Sequence, residues 1–274
     1  MNGASREAFA AARERIGTLL GTASTDAARL GADLAAVVTL LDGEAGLRRA
    51  LTDPSRPADA KAGLAAALLD GQLDSGAVDL VAGMVRSRWS APRDLADSIE
   101  KLSVVAELTD AERRGSLDAV EDELFRFGRI VAGNSELRAA LTSRIDTAAG
   151  REARGELVRG LLGGRADAVT MRLVERLVRA PRGRSLEAGL EAASRDAADL
   201  RSRIVAVVTA ALPLNQEQKD RLGAALTRLY GRQVHLNIDI DAEVLGGLRI
   251  EIGDEVIDGT VAGRLTAARQ HFEG

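Results

Sequence analysis

Apolar residues recur at helical spacing from Ser5 to about Arg201. Leu30, Leu34, Val37, Val38 and Leu41 stand at i, i+4, i+7, i+8 and i+11, which places them on one helix face, and Gly43 follows as a stop signal. Beyond Arg201 the period changes. Ile204, Val205, Val207 and Val208 are β-branched and predict a strand. Asn215 and Gln218 have the spacing of a capping box, Leu222, Leu226 and Leu229 stripe the helix that follows, and Gly231 stands where a terminating glycine belongs. Val234, Leu236, Ile238 and Ile240 alternate with polar residues, as do Leu248, Ile250 and Ile252, so two further strands are expected. Gly253-Asp254 reads as a turn, and a last helix is predicted from about Thr260 to Phe272.

The helical pattern occurs twice, about 90 residues apart. Val120, Leu124, Phe127, Ile130 and Val131 take the places of Leu30, Leu34, Val37, Leu40 and Leu41. Leu47–Thr52 matches Leu137–Thr142, and Leu80–Arg86 matches Leu173–Arg179. Each copy then meets a proline, Pro92 or Pro181, and resumes near Leu95 or Leu186. The expected fold is mainly α: two tandem bundles of five or six helices over residues 1–108 and 109–200, then a small α+β domain over 201–274 in the order β-α-β-β-α.

Composition narrows the function. Apolar residues make up 46% and charged residues 28% of 274, enough to build a core, but aromatics are only 2%, so that core is aliphatic. The net charge of −4 argues against nucleic-acid binding, which needs a basic face. The first twenty residues carry Arg6, Glu7, Arg13, Glu14 and Arg15 and have no signal-peptide character. The apolar stretches 34–41 and 204–214 are too short to span a bilayer. Cysteine is absent, which excludes disulfides and thiolate metal sites. None of the three lysines, Lys61, Lys101 and Lys219, follows a glycine, so there is no P-loop, and neither a Gly-x-Gly nor a Gly-x-Ser-x-Gly sequence occurs. His235 and His271 are the two histidines, and Asp239, Asp241 and Glu243 lack the glycine of a calcium loop. No catalytic site, metal site or cofactor is expected. Trp89 suits either a cap on the first bundle or an interface anchor.

The C-terminal part carries a specific pattern. Gly246-Gly247 precedes a strand; Gly253-Asp254 and Ile257-Asp258-Gly259-Thr260 follow, and Arg264-Leu265 falls in the predicted last helix. This resembles the signature of the F-type ATP synthase delta subunit family, whose mitochondrial relative is the oligomycin-sensitivity-conferring protein, with Thr260 where serine is usual. The doubled bundle is similar to the long actinobacterial form of that family. The resemblance implies a non-enzymatic stator subunit at the cytoplasmic face of the bacterial plasma membrane, reaching the membrane only through the complex. It implies that a bundle binds the N-terminal helices of alpha subunits and that the C-terminal domain binds a b-type stalk subunit. The groove for the alpha helix is expected beside Phe9, Ile16, Leu20, Val78, Val81 and Val85 in the first copy and beside Leu173 and Leu177 in the second. The competing reading is a free-standing helical adaptor.

Overall fold

The computed structural model describes residues 3–143, 147–201, 204–231, 234–241, 246–252 and 255–260. It separates into a helical unit ending at Arg201 and a C-terminal unit.

The helical unit holds α1 (Gly3–Gly21), α2 (Ala27–Gly43), α3 (Ala45–Thr52), α4 (Ala58–Leu69), α5 (Ser75–Arg86), α6 (Pro92–Arg113), α7 (Leu117–Gly133), α8 (Ser135–Leu141), α9 (Ala148–Leu162), α10 (Ala168–Arg179) and α11 (Leu186–Arg201). The duplication is visible in the elements: α2 and α7 each have 17 residues, α5 and α10 each have 12. It extends to single hydrogen bonds. The N-cap amides of α5 and α10, on Asp74 and Asp167, donate to Asp33 Oδ2 (2.8 Å) and Glu123 Oε2 (2.9 Å), and each N-cap carboxylate accepts an amide of its own helix, Gly76 N or Val169 N. Two buried cations also correspond. Lys61 Nζ donates to Ser87 O and Arg154 Nε to Val178 O, each reaching carbonyls at the C-terminal end of α5 or α10. Burial pushes the Lys61 ammonium pKa down.

Leu30, Leu34, Val37 and Leu41 are buried in one apolar cluster, and Val120, Leu124, Phe127 and Val131 in a second. The matched pair Leu40 and Ile130 lies exposed in both copies. Helix α6 serves both clusters. Leu95, Ile99, Leu102 and Ala106 enter the first, while Leu108 and Ala111 enter the second. It packs on α10 and α11 as α1 packs on α5 and α6, so it closes one bundle and opens the next. The junction read at 108/109 therefore falls inside a continuous helix. Trp89, 8% exposed, donates Nε1–H to Met84 O (2.8 Å) and belongs to the first core.

Where α6 ends, Arg114 forms a two-pronged pair with Asp167 (2.9 and 3.0 Å). That guanidinium, aided by the Val169 amide and opposed by burial, lowers the Asp167 pKa to about 2, and the Asp167 carboxylate in turn holds Arg114 above its own usual range. A depressed carboxylate stabilises the fold above its unfolded value, and the contribution fades as pH falls through the folded one. The Asp167 contribution, roughly 2 kcal/mol, is thus expected to be lost between about pH 4 and pH 2. Asp167→Asn should flatten that limb of an acid unfolding curve followed by circular dichroism; an unchanged limb would contradict the assignment.

The C-terminal unit contains β1 (Ile204–Ala210), α12 (Gln216–Tyr230), β2 (Val234–Ile240), β3 (Leu248–Ile252) and β4 (Glu255–Asp258) in a sheet ordered β2-β1-β3-β4. β1 and β2 pair in parallel, joined through α12, and β3 pairs antiparallel with β1 and β4. The capping box of Asn215 and Gln218 forms, and Gly231 ends α12 at φ 67°. Ala206, Val208, Ile250 and Leu226 close a small core. β4 adds a strand to the expected order: it is four residues long and opens and closes on an acid, too short for alternation to show. The predicted last helix lies outside the described residues.

Candidate functional site

The expected groove residues lie deep. Ile16, Leu20, Val78, Val81 and Val85 are buried in the first cluster and Leu173 in the second. Apolar positions at helical spacing face the core first, because burying each such side chain is worth about 1.5–3 kcal/mol. Phe9 is half-buried, with Lys101 Nζ 5.5 Å from its ring centroid. Leu177 is half-buried and lies where a Cβ on Gly189 would sit, so that glycine lets α10 and α11 approach. The eight residues fall in two sets, one in each copy: six lie on α1 and α5, two on α10.

The faces above them differ between copies. Along α1 and α5 the helices meet at glycines: Leu19 lies against Gly76, and the Arg15 guanidinium covers Gly83. The corresponding pair in the second copy, α6 and α10, is bridged by charge. Arg176 Nη1 donates to Ser103 Oγ (2.7 Å), and both Arg176 and Arg172 (3.2 Å) pair with Glu107, whose side chain is 1% exposed.

This charge layer is the feature that the periodic reading of apolar residues missed. Asp97, Glu100, Ser103, Glu107 and Asp110 recur along α6 every three or four residues, and Arg114 continues the series at its C-cap. A polar stripe on a helix that is apolar on both sides of it is the signal that could have revealed the second packing partner.

In the C-terminal unit the described signature residues converge on one corner. Gly246 and Gly247 have φ of 68° and 87°. Gly259 N donates to Leu248 O (2.8 Å), and Ile257 pairs with Ile250 across the sheet. Asp258 Oδ1 accepts from the Thr260 hydroxyl (2.7 Å) and amide (2.9 Å), which holds its carboxyl below the usual range. These contacts form a turn. Gly253, Asp254, Arg264 and His271 lie outside the described residues, as do Glu243 and the His235 side chain. Among the described residues no group of three or more His, Asp or Glu is placed to hold a metal, and no helix is long and apolar enough to cross a membrane.

A family model described as the ATP synthase delta (OSCP) subunit matches residues 104–272, a stretch that begins inside α6. The chain is 59% identical over 274 residues, the whole of both chains, to ATP synthase subunit delta of Streptomyces griseus. It is 61% identical over 271 residues, 99% of this chain and 98% of the other, to that of Streptomyces avermitilis. It is 46% identical over the full length of both to that of Thermobifida fusca. With the match spanning the second bundle and the Gly-Gly and Ile-Asp-Gly-Thr corner, the chain belongs to the ATP synthase delta (OSCP) subunit family.

Proposed function

We propose that this chain is a non-catalytic clamp of the ATP synthase stator, holding N-terminal helices of alpha subunits with its helical unit and a b-type stalk subunit with its C-terminal unit. The observation that carries the reading is the span of the family match, residues 104–272. It covers the second bundle and the C-terminal unit, which supports reading the second bundle as the counterpart of the single bundle usual in the family. The face over α6 and α10, with Leu173 and Leu177 beneath it, is then the primary docking face. The face over α1 and α5, above Phe9, Ile16, Leu20, Val78, Val81 and Val85, is its duplicate.

The physical demand on a clamp is slow release. Rotor torque turns the catalytic head unless the stator holds it, and a nanomolar complex corresponds to roughly −12 kcal/mol. Helix-in-groove docking supplies that through apolar anchors at helical spacing. No chemistry is required of the chain. In this reading the complex holds the chain at the cytoplasmic face of the plasma membrane.

Calorimetry with a peptide of the alpha subunit's N-terminal helix, titrated into the full-length protein, tests the reading. Saturable binding with a negative heat-capacity change is expected. A stoichiometry of one assigns docking to one bundle, and two assigns it to both. Absence of heat and of competition at tens of micromolar would overturn the docking mechanism.

A further inference from the structure

Arg182, between α10 and α11, has φ 53°, the one positive value recorded for a described residue other than glycine. That conformation is strained for a residue that carries a side chain. Its side chain is 5% exposed and meets three carboxylates: Asp42 (2.8 Å), Asp97 (2.5 Å) and Glu100 (3.5 Å). Arg93 Nη2 donates to the Arg182 carbonyl, and Arg184 pairs with Glu100 beside it. Asp97 and Glu100 belong to the shared helix, but Asp42 belongs to α2 in the first bundle. The Arg182–Asp42 pair therefore joins the two bundles by a route that bypasses α6.

Asp42 is as unusual as its partner. It sits in the last turn of α2, where the helix dipole disfavours a negative charge. Both residues thus occupy positions that local energetics oppose, and their pairing supplies the compensation. A helix shared by two bundles can bend and twist; a strap attached off its axis resists both. Salt links are directional, and their best-attested use is to fix register.

We propose that Arg182 is an electrostatic latch that sets the angle between the two helical bundles about α6. Arg182 and Glu100 are 5% and 8% exposed, but Asp42 and Asp97 are 36% and 37% exposed, so salt reaches the latch through those two carboxylates. It holds at low ionic strength and loosens at high ionic strength while each bundle keeps its own core. This stands whether or not the alpha-subunit docking reading holds.

The absence of cysteine allows clean double labelling. Spin labels at Ala36→Cys on α2 and Arg195→Cys on α11, both exposed and away from the latch, report the inter-bundle distance in the full-length chain. The parent should give one narrow distribution at 0.1 M salt, broadened about twofold at 1 M as the screening length falls. Arg182→Gly, which accommodates the backbone conformation and removes the whole side chain with its guanidinium, should be broad at both salt concentrations with unchanged helix content. Asp42→Asn should broaden it likewise, and because it relieves the dipole conflict it does not weaken α2. Parent-like widths in Asp42→Asn at both concentrations would overturn the latch, even if Arg182→Gly lost structure.

Discussion

Gly247→Val is expected to unfold the C-terminal unit and leave the helical unit folded. At φ 87° a β-branched residue is strained before any contact is considered. A Cβ at this position would overlap the carbonyl oxygen of Gly259 and lie 2.9 Å from Thr260 Cα and 3.0 Å from Gly259 C. These are backbone atoms, and Gly259 is itself tied to Leu248 by its amide, so no side chain can swing aside. Backbone strain and forced displacement together cost roughly 3–5 kcal/mol. A domain of this size has only about 5 kcal/mol of stability to lose. The two units carry separate reporters: the one tryptophan, Trp89, lies in the helical unit and the one tyrosine, Tyr230, in the C-terminal unit. In a denaturant titration the tyrosine signal should already be that of unfolded chain at low denaturant, with the tryptophan midpoint unmoved. A tyrosine transition at the parental midpoint would show that the corner can yield.

Glu107→Ala is expected to lower the stability of the helical unit by about 3–5 kcal/mol, because truncating one partner of a buried ion pair leaves the others desolvated and uncompensated. Glu107 is enclosed between Arg172 and Arg176 on one side and α2 on the other. Gly31 is what admits it there: a Cβ on Gly31 would come within 2.6 Å of Glu107 Cγ and 3.2 Å of backbone atoms of α6. Glu107→Leu combined with Arg176→Leu should recover much of the loss, since it removes the more buried of the two guanidinium groups, while Arg172, 37% exposed, keeps Asp110 (3.9 Å) as a partner. The Trp89 midpoint measures both. A shift in the single variant below about 1 kcal/mol, the range of an exposed pair, would show that Glu107 is solvated. This stability effect is distinct from the latch, in which Arg182 reaches the partly exposed Asp42 of the first bundle and governs angle.

Much of the architecture is written locally. The stripe Leu30, Leu34, Val37, Leu41 and its copy Val120, Leu124, Phe127, Val131 specify buried helix faces wherever those helices end up. The Asn215–Gln218 box and Gly231 mark both ends of α12 through bonds that span a few residues. Gly246, Gly247 and the Asp258–Thr260 turn carry the family signature in consecutive positions, so the family was legible from them. Periodicity did not reveal which partner each face meets. Ile16, Val81, Val85 and Leu173 have the spacing that a docking groove requires, but the same spacing serves a core, and the fold buries all four. The sharing of α6 was equally hidden. A helix with apolar residues on two sides and acids between them has little amphipathic contrast to read, and the arginines that answer Asp97, Glu100 and Glu107 come 65 to 85 residues later. The helices, the doubling, the strands with strong alternation and the family follow from residue order, because each depends on neighbours along the chain. That one helix serves two bundles, which partner each apolar face meets and where Arg182 finds its carboxylates came from the folded arrangement, because those depend on distance in space.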